Sequence, residues 1–188
     1  PDELGIDFLS ASAHKFHGPK GVGFLYASSA DFDSYLHGGD QELKKRAGTE
    51  NLAAIVGMVV ALKEDLNDQV EHYQKLSALK ATFLEEIADL DYYLNESNHQ
   101  LPYVVNIGFP GQKNDLLLLR LDLEGISIST GSACTAGIVQ TSHVLEAFYG
   151  PDSPRLKESV RISLSPLNTE EELKQLCLLY TSPSPRDR

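Results

Sequence analysis

The chain has 188 residues, 41% of them hydrophobic, and its 27 acidic against 16 basic side chains give a formal charge of −11. That balance argues against direct nucleic-acid binding, which depends on neutralising phosphates with lysine and arginine, and no apolar run approaches the roughly 20 residues of a membrane span, so no membrane partner is expected. Two cysteines, Cys134 and Cys177, are too few for a disulfide framework and form no CxxC pair, which leads to the expectation of a reducing, cytoplasmic setting.

The chain begins at Pro1 rather than methionine, and residues 4–10 read at once as a strand, as expected of the interior of a longer protein. "IDFLSAS" and "GVGFLYAS" are two short apolar strands flanking a loop that carries Lys15, with Gly18, Pro19, Gly21 and Gly23 supplying the turns. "HGGDQELKKRAGTEN" (37–51) is a polar, glycine-punctuated loop, after which Thr49 and Glu50 are expected to cap an apolar helix, "NLAAIVGMVVALKEDL". Val70, Tyr73, Leu76, Leu79, Phe83, Ile87 and Leu90 then recur at spacings of three and four, which predicts an amphipathic helix over 68–90 connecting two lobes.

"LPYVVNIGF" (101–109) reads as a strand, "NDLLLLRLDLEG" as a helix closed by Gly125, and "ISIST" as a short strand running into "GSACTAG". "SHVLEAFYG" is a short helix ending at Gly150, and "SVRISLS" alternates as a strand should. Thr169 and Glu172 have the spacing of a capping box ahead of the last helix. "CLLYTSPSPRDR" (177–188) turns Ser/Pro/Arg-rich and is set aside as a non-native or frayed tail. Strands alternating with helices predict an α/β or α+β architecture without internal repeats, divided here into 1–67, 68–176 and the 177–188 tail.

Several side chains have chemistry to offer. A lysine amine becomes a nucleophile toward carbonyls when burial or a neighbouring cation lowers its pKa. Lys15 has His14 and His17 beside it and the Ser10 and Ser12 hydroxyls just upstream, a combination suited to a Schiff-base lysine with donors for a phosphate; equally, it reads as a surface lysine in a turn. "GPKGVG" lacks the spacing and trailing Lys-Ser/Thr of a nucleotide P-loop.

Cys134 lies among small residues in "STGSACTAG", a setting for an uncovered thiolate that reaches out to attack, or for a small residue packed into a tight turn. Arg161 alternates with Val160 and Ile162, so its guanidinium leaves the strand on the polar face, where it can grip a carboxylate with two bonds or simply meet solvent. Thr49 offers a hydroxyl at a helix N-terminus, which suits an anion or a plain cap. The six histidines are scattered, and no His/Cys/carboxylate set has metal-ligand spacing.

Taken together, "SASAHKFHGPKG", "HGGDQE…KRAGTEN", "GSACTAG" and "VRISLS" occur in the order seen in cysteine desulfurases, and the chain resembles that family over residues 4 to about 176. These are pyridoxal-phosphate enzymes of the class V aminotransferase-like superfamily, and "GSACTAG" resembles the nitrogen-fixation-type group with its mobile cysteine loop. The resemblance implies a fold type I transferase: the end of the large α/β cofactor domain over 1–67, then the small α+β domain over 68–176.

It further implies that Lys15 holds pyridoxal 5'-phosphate through its amine and shuttles protons, that Ser12 and His14 contact the cofactor phosphate, and that Thr49 reaches the phosphate of a neighbouring subunit in a homodimer. Arg161 would bind the carboxylate of L-cysteine. Cys134 would attack the substrate sulfur, leaving a persulfide for a sulfur-acceptor protein (an iron–sulfur scaffold or a tRNA-thiolation enzyme) and releasing L-alanine. In that family the residues that stack on the cofactor ring and pair with its nitrogen precede the lysine, so this chain alone is expected to be inactive. An aminotransferase or lyase of the same fold without a persulfide step is the alternative enzyme, and a non-catalytic dimerisation or scaffold-binding piece the alternative of another class.

Overall fold

Phe8–Ser12 (β1) and Gly23–Ala27 (β2) pair as an antiparallel hairpin, with Phe8 opposite Ala27 and Ser12 opposite Gly23. The computed structural model describes residues 2–29, 31–97, 99–131 and 141–181. The chain divides into two units, Pro1–Val70 and Glu71–Arg188, and its architecture is mixed α/β as the composition of elements predicts.

In the first unit the hairpin is closed by a 3-10 turn, Ala13–Phe16, that ends on His17 in the left-handed region at φ 65°. Ala13 is buried, donates from its N–H to the Val22 carbonyl (3.0 Å) and accepts from the Gly18 N–H (2.9 Å), which pins both ends of the turn. Gly23 has to be glycine, because a Cβ there would collide with the Ala11 carbonyl oxygen across the hairpin. Further on, Glu42, Leu43 and Lys44 form a run of non-glycine residues with left-handed backbone, at φ 51°, 54° and 66°.

One helix, Leu52–Glu86 (α1), replaces the two helical segments expected from sequence. Residues 67–69, between the two apolar patterns, are polar but contain neither Gly nor Pro, so nothing interrupts the i→i−4 bonding. Its cap also differs from expectation. The Asn51 Oδ1 accepts the Ala54 N–H at 3.2 Å, so Asn51 is the N-cap and Thr49 lies two residues ahead of it. A Cβ on Gly57 would come within 2.8 Å of the Pro19 ring, and so α1 touches the turn that follows Lys15 at a position where only a hydrogen fits.

The second unit is built on a sheet of Tyr93–Leu94 (β3), Val104–Gly108 (β4) and Ser159–Ser163 (β5) in the order β3-β4-β5, antiparallel throughout. Strand alternation sorts its faces. Val105, Ile107, Val160 and Ile162 turn inward and meet Leu76, Leu79 and Phe83 from the C-terminal half of α1 and Ile87 just past its end. Leu117 and Leu121 of Asn114–Leu123 (α2) and Leu173 and Leu176 of Glu170–Thr181 (α5) complete this core. Each such side chain contributes about 1.5–3 kcal/mol when fully buried. Asn106 and Arg161, directly opposite one another in the register, take the other face.

Gly125, at φ 77°, ends α2 as expected, with its N–H on the Asp122 carbonyl (3.0 Å) and the next N–H, of Ile126, on Leu121 (2.9 Å). "ISIST" is not a strand of its own. Only Ser129 pairs, through a bridge to Arg161. His143–Tyr149 (α3) is capped by Ser142, whose Oγ accepts the Leu145 N–H at 3.3 Å, and Arg155–Glu158 (α4) is a single turn leading into β5. Thr169 and Glu172 exchange the two bonds of a capping box, at 3.1 and 3.2 Å. The last helix does not fray at residue 176 as composition suggested. It runs to Thr181, because Cys177 and Tyr180 prolong the spacing of Leu173 and Leu176 and bury themselves in the same core.

Candidate active site

Ser12, His14 and Lys15 come together on one turn of the first unit, and all three side chains are exposed. Ser12 has extended backbone and makes no capping bond to the turn it precedes, so its hydroxyl is not consumed by local structure. The left-handed His17 reverses the chain within two residues of Lys15, which is exposed on the turn. Histidine tolerates that region better than branched residues do. The enclosure that a Schiff-base lysine needs is not supplied by these residues alone. Thr49 is exposed on a separate segment of the same unit, and among the described residues no hydrogen bond links it to the Lys15 turn.

Arg161 belongs to the second unit. Its backbone is clamped on the far side of β5 by Ser129, the Arg161 N–H donating to the Ser129 carbonyl at 2.7 Å and the Ser129 N–H returning a bond at 3.1 Å. The Nε of Arg161 is buried and has no hydrogen-bond partner among the described residues. Leaving a buried N–H without an acceptor costs about 1–3 kcal/mol, so the atom calls for a partner. Arg161 lines a pocket of about 420 Å³ together with Asn95, Asn106, Tyr149, Gly131 and Ser142. Gly131 and Ser142 stand on either side of the segment that carries Cys134, which itself lies outside the described residues.

A polar network that sequence reading missed supports this pocket. The Arg155 guanidinium stacks over the rings of Tyr93 (4.0 Å) and Tyr149 (4.5 Å) and donates from Nη1 to the Asn95 Oδ1 at 2.8 Å. Asn95 in turn donates from Nδ2 to the Asn106 Oδ1 (2.9 Å) and the Ser159 Oγ (2.8 Å). The Tyr93 hydroxyl donates to the Glu158 Oε2 at 3.1 Å, and the other carboxylate oxygen accepts the Gly111 N–H at 2.9 Å. Burial, ahead of the adjacent Glu158 carboxylate, pushes the Tyr93 phenol up to about 12, which keeps it a donor. Asn106 was within reach of the alternation argument that singled out Arg161, since it interrupts Val105 and Ile107 in the same way. Arg155 and Asn95, 60 positions apart, carry no such local signal.

The aminotransferase class-V family profile matches residues 1–176. Among curated proteins, "Putative cysteine desulfurase IscS 1" of Bacillus subtilis is 46% identical over 173 residues, covering 90% of this chain and 46% of its own length. The chain thus spans about half the length of the curated relatives it matches. Among solved structures, a "NIFS-LIKE PROTEIN" superposes with a TM-score of 0.82 at 32% identity, over 94% of this chain and 45% of that one. "SspA in complex with cysteine" does so with a TM-score of 0.65 at 34% identity, over 89% and 46%. The family match takes in both the Lys15 turn and the strand of Arg161 and ends at residue 176, just before the segment set aside on composition, and on that extent the chain belongs to the class-V aminotransferase family.

Proposed function

We propose that the chain acts as the C-terminal half of a pyridoxal-phosphate-dependent cysteine desulfurase, which moves sulfur from L-cysteine to an enzyme thiol and releases L-alanine. The observation that carries this reading is Arg161, whose buried Nε has no acceptor among the described residues, in a pocket that both flanks of the Cys134 segment help to line. A substrate carboxylate supplies that acceptor. The likeness to curated cysteine desulfurases over the same residues supports the reaction class.

Family membership implies pyridoxal phosphate, and the residues of the Lys15 turn fit it: an exposed amine able to condense with an aldehyde, flanked by a hydroxyl and an imidazole able to bond phosphate oxygens. When bound, that group supplies the electron sink for breaking bonds at the substrate α-carbon. Lys15 Nζ holds and moves the proton released there. Ser12 and His14 anchor the phosphate, with Thr49 reaching a neighbouring subunit's phosphate in a homodimer. Arg161 fixes the substrate through its carboxylate, and Cys134 as thiolate attacks the substrate sulfur. An S–S bond forms, the C–S bond breaks, and the carbon fragment takes up a proton and leaves as L-alanine. The resulting persulfide passes to an acceptor protein in a reducing, cytoplasmic compartment.

The test is made on the protein at the full length of its relatives, with pyridoxal phosphate, L-cysteine and an added dithiol that reduces the persulfide and frees its outer sulfur as sulfide. A visible absorption band and equal yields of sulfide and alanine are expected. Lys15→Ala abolishes the band, while Cys134→Ser keeps the band and stops sulfide release. Survival of turnover in Cys134→Ser points instead to an aminotransferase or lyase without a persulfide step. The 188-residue chain by itself is expected to bind the cofactor poorly and not to turn over.

A further inference from the structure

We infer that Asn106 is a second binding residue for the substrate carboxylate, its side-chain N–H₂ aimed into the Arg161 pocket by the Arg155–Asn95 relay. The inference rests on the reading of Arg161 as a carboxylate clamp and extends it to a neighbour on the same sheet face.

Donor and acceptor identities along the relay are fixed from one end. A guanidinium has five N–H donors and no acceptor, so the atom of Asn95 that meets the Arg155 Nη1 at 2.8 Å has to be its oxygen. The Asn95 amide is therefore fixed with Nδ2 pointing the other way, at Asn106 and Ser159. What meets that donor on Asn106 has to be Oδ1. Asn106 is left with its Nδ2, for which no partner occurs among the described residues, on a side chain that lines the pocket. The order of the relay converts a side chain that could present either polarity into a donor.

Position makes that donor useful. Asn106 and Arg161 are directly opposed on neighbouring antiparallel strands, which places their Cβ atoms about 5 Å apart on one face. A carboxylate taking the orphaned Nε–H of Arg161 has its remaining lone pairs within reach of an amide on the facing strand. Arg155 and Asn95 act through Asn106 and are positioning residues. The contacts of Arg155 with the rings of Tyr93 and Tyr149 hold the start of the relay still.

The experiment titrates the chain with 3-mercaptopropionate, which has the carboxylate and thiol of cysteine but no amine, and uses cysteamine, which lacks the carboxylate, as the control. Amide and guanidinium ¹⁵N–¹H resonances report the contacts. In the unsubstituted protein both the Arg161 Nε–H and the Asn106 N–H₂ resonances are expected to shift with 3-mercaptopropionate and not with cysteamine. Asn106→Ala is expected to weaken binding about tenfold, as for a hydrogen bond to a charged group. Asn95→Asp keeps the side-chain shapes, continues to accept from Arg155, and obliges Asn106 to turn its N–H₂ away from the pocket. It too is expected to weaken binding, with the Asn106 resonance no longer responding.

If Arg161→Gln abolishes binding while Asn106→Ala and Asn95→Asp leave it within twofold, the inference about Asn106 is wrong and the carboxylate clamp stands. If Arg161→Gln leaves binding unchanged, the clamp itself is wrong and Asn106 falls with it. In the holoenzyme of full length the same substitutions should raise KM for L-cysteine more than they lower kcat, because the carboxylate contact is made alike in ground and transition states.

Discussion

The Tyr93 side chain packs so closely on Gly108 of the adjacent strand that a Cβ there would collide with its ring and hydroxyl. Absence of a side chain at Gly108 leaves room for the ring whose phenol reaches Glu158 and over which the Arg155 guanidinium stacks. Gly108→Ala is expected to lower stability by about 1–3 kcal/mol through overpacking, read from the denaturant midpoint. The same substitution pushes the ring outward, so its phenol should titrate back from about 12 toward the ordinary 10.0, measured by ultraviolet absorbance. An unchanged midpoint with Tyr93 still ionising near 12 would show that the ring is held by something else.

The capping box of the last helix makes stability depend on pH with a definite sign. Bonds from the Asn168 side-chain amide, first, and the Thr169 N–H hold the Glu172 carboxyl below its ordinary value. A depressed folded pKa means that the contribution is fully present above the unfolded value of about 4.3 and is lost as pH falls through the lower folded value. Helicity of α5 should therefore weaken as pH drops below about 4, and Glu172→Gln should remove that dependence. Thr169→Ala is expected to destabilise by about 1 kcal/mol at neutral pH. A pH profile identical in Glu172→Gln and the parent protein would refute the assignment.

Leu43 is 88% exposed and sits in the middle of the left-handed run Glu42–Lys44, so it carries backbone strain with little packing in return. That strain is about 1–2 kcal/mol for a non-glycine residue, against roughly 0.5–1 kcal/mol for the greater freedom of glycine in the unfolded chain. Leu43→Gly is thus expected to stabilise this turn slightly, with slower hydrogen exchange at the Lys44 and Lys45 amides, which bond to Gln41 and Glu42. Faster exchange at both amides would mean that the Leu43 side chain stabilises the turn in a way its exposure hides.

Features written in short-range chemistry were legible before the fold was known. Thr169 and Glu172 are three residues apart and meet as their spacing requires. Gly125 ends its helix for the reason glycine usually does, and the alternation of Val160, Arg161 and Ile162 announced the face on which the arginine emerges. Misreadings came where the local signal was silent or shared. The polar stretch in α1 resembles a loop in composition, yet only Gly or Pro would have broken it. In "ISIST" a strand-like pattern met a single pairing partner, so one bridge formed instead of a ladder. For Tyr93, Asn95 and Arg155, the contacts that give each residue its role lie in distant parts of the chain, and no local pattern encodes them.

The pairing of Asn106 with Arg161 also guards the topology itself. A slip of one position of β5 along β4 would exchange its two surfaces, driving the guanidinium into the space now filled by Val160 or Ile162 and turning those aliphatic groups outward. Such a misaligned sheet would bury a cation with no counter-charge, a penalty of several kcal/mol. The residues that the chemistry requires therefore double as a proofreading device for assembly, and replacing them with neutral aliphatics, even where binding is of no concern, should admit competing alignments during refolding.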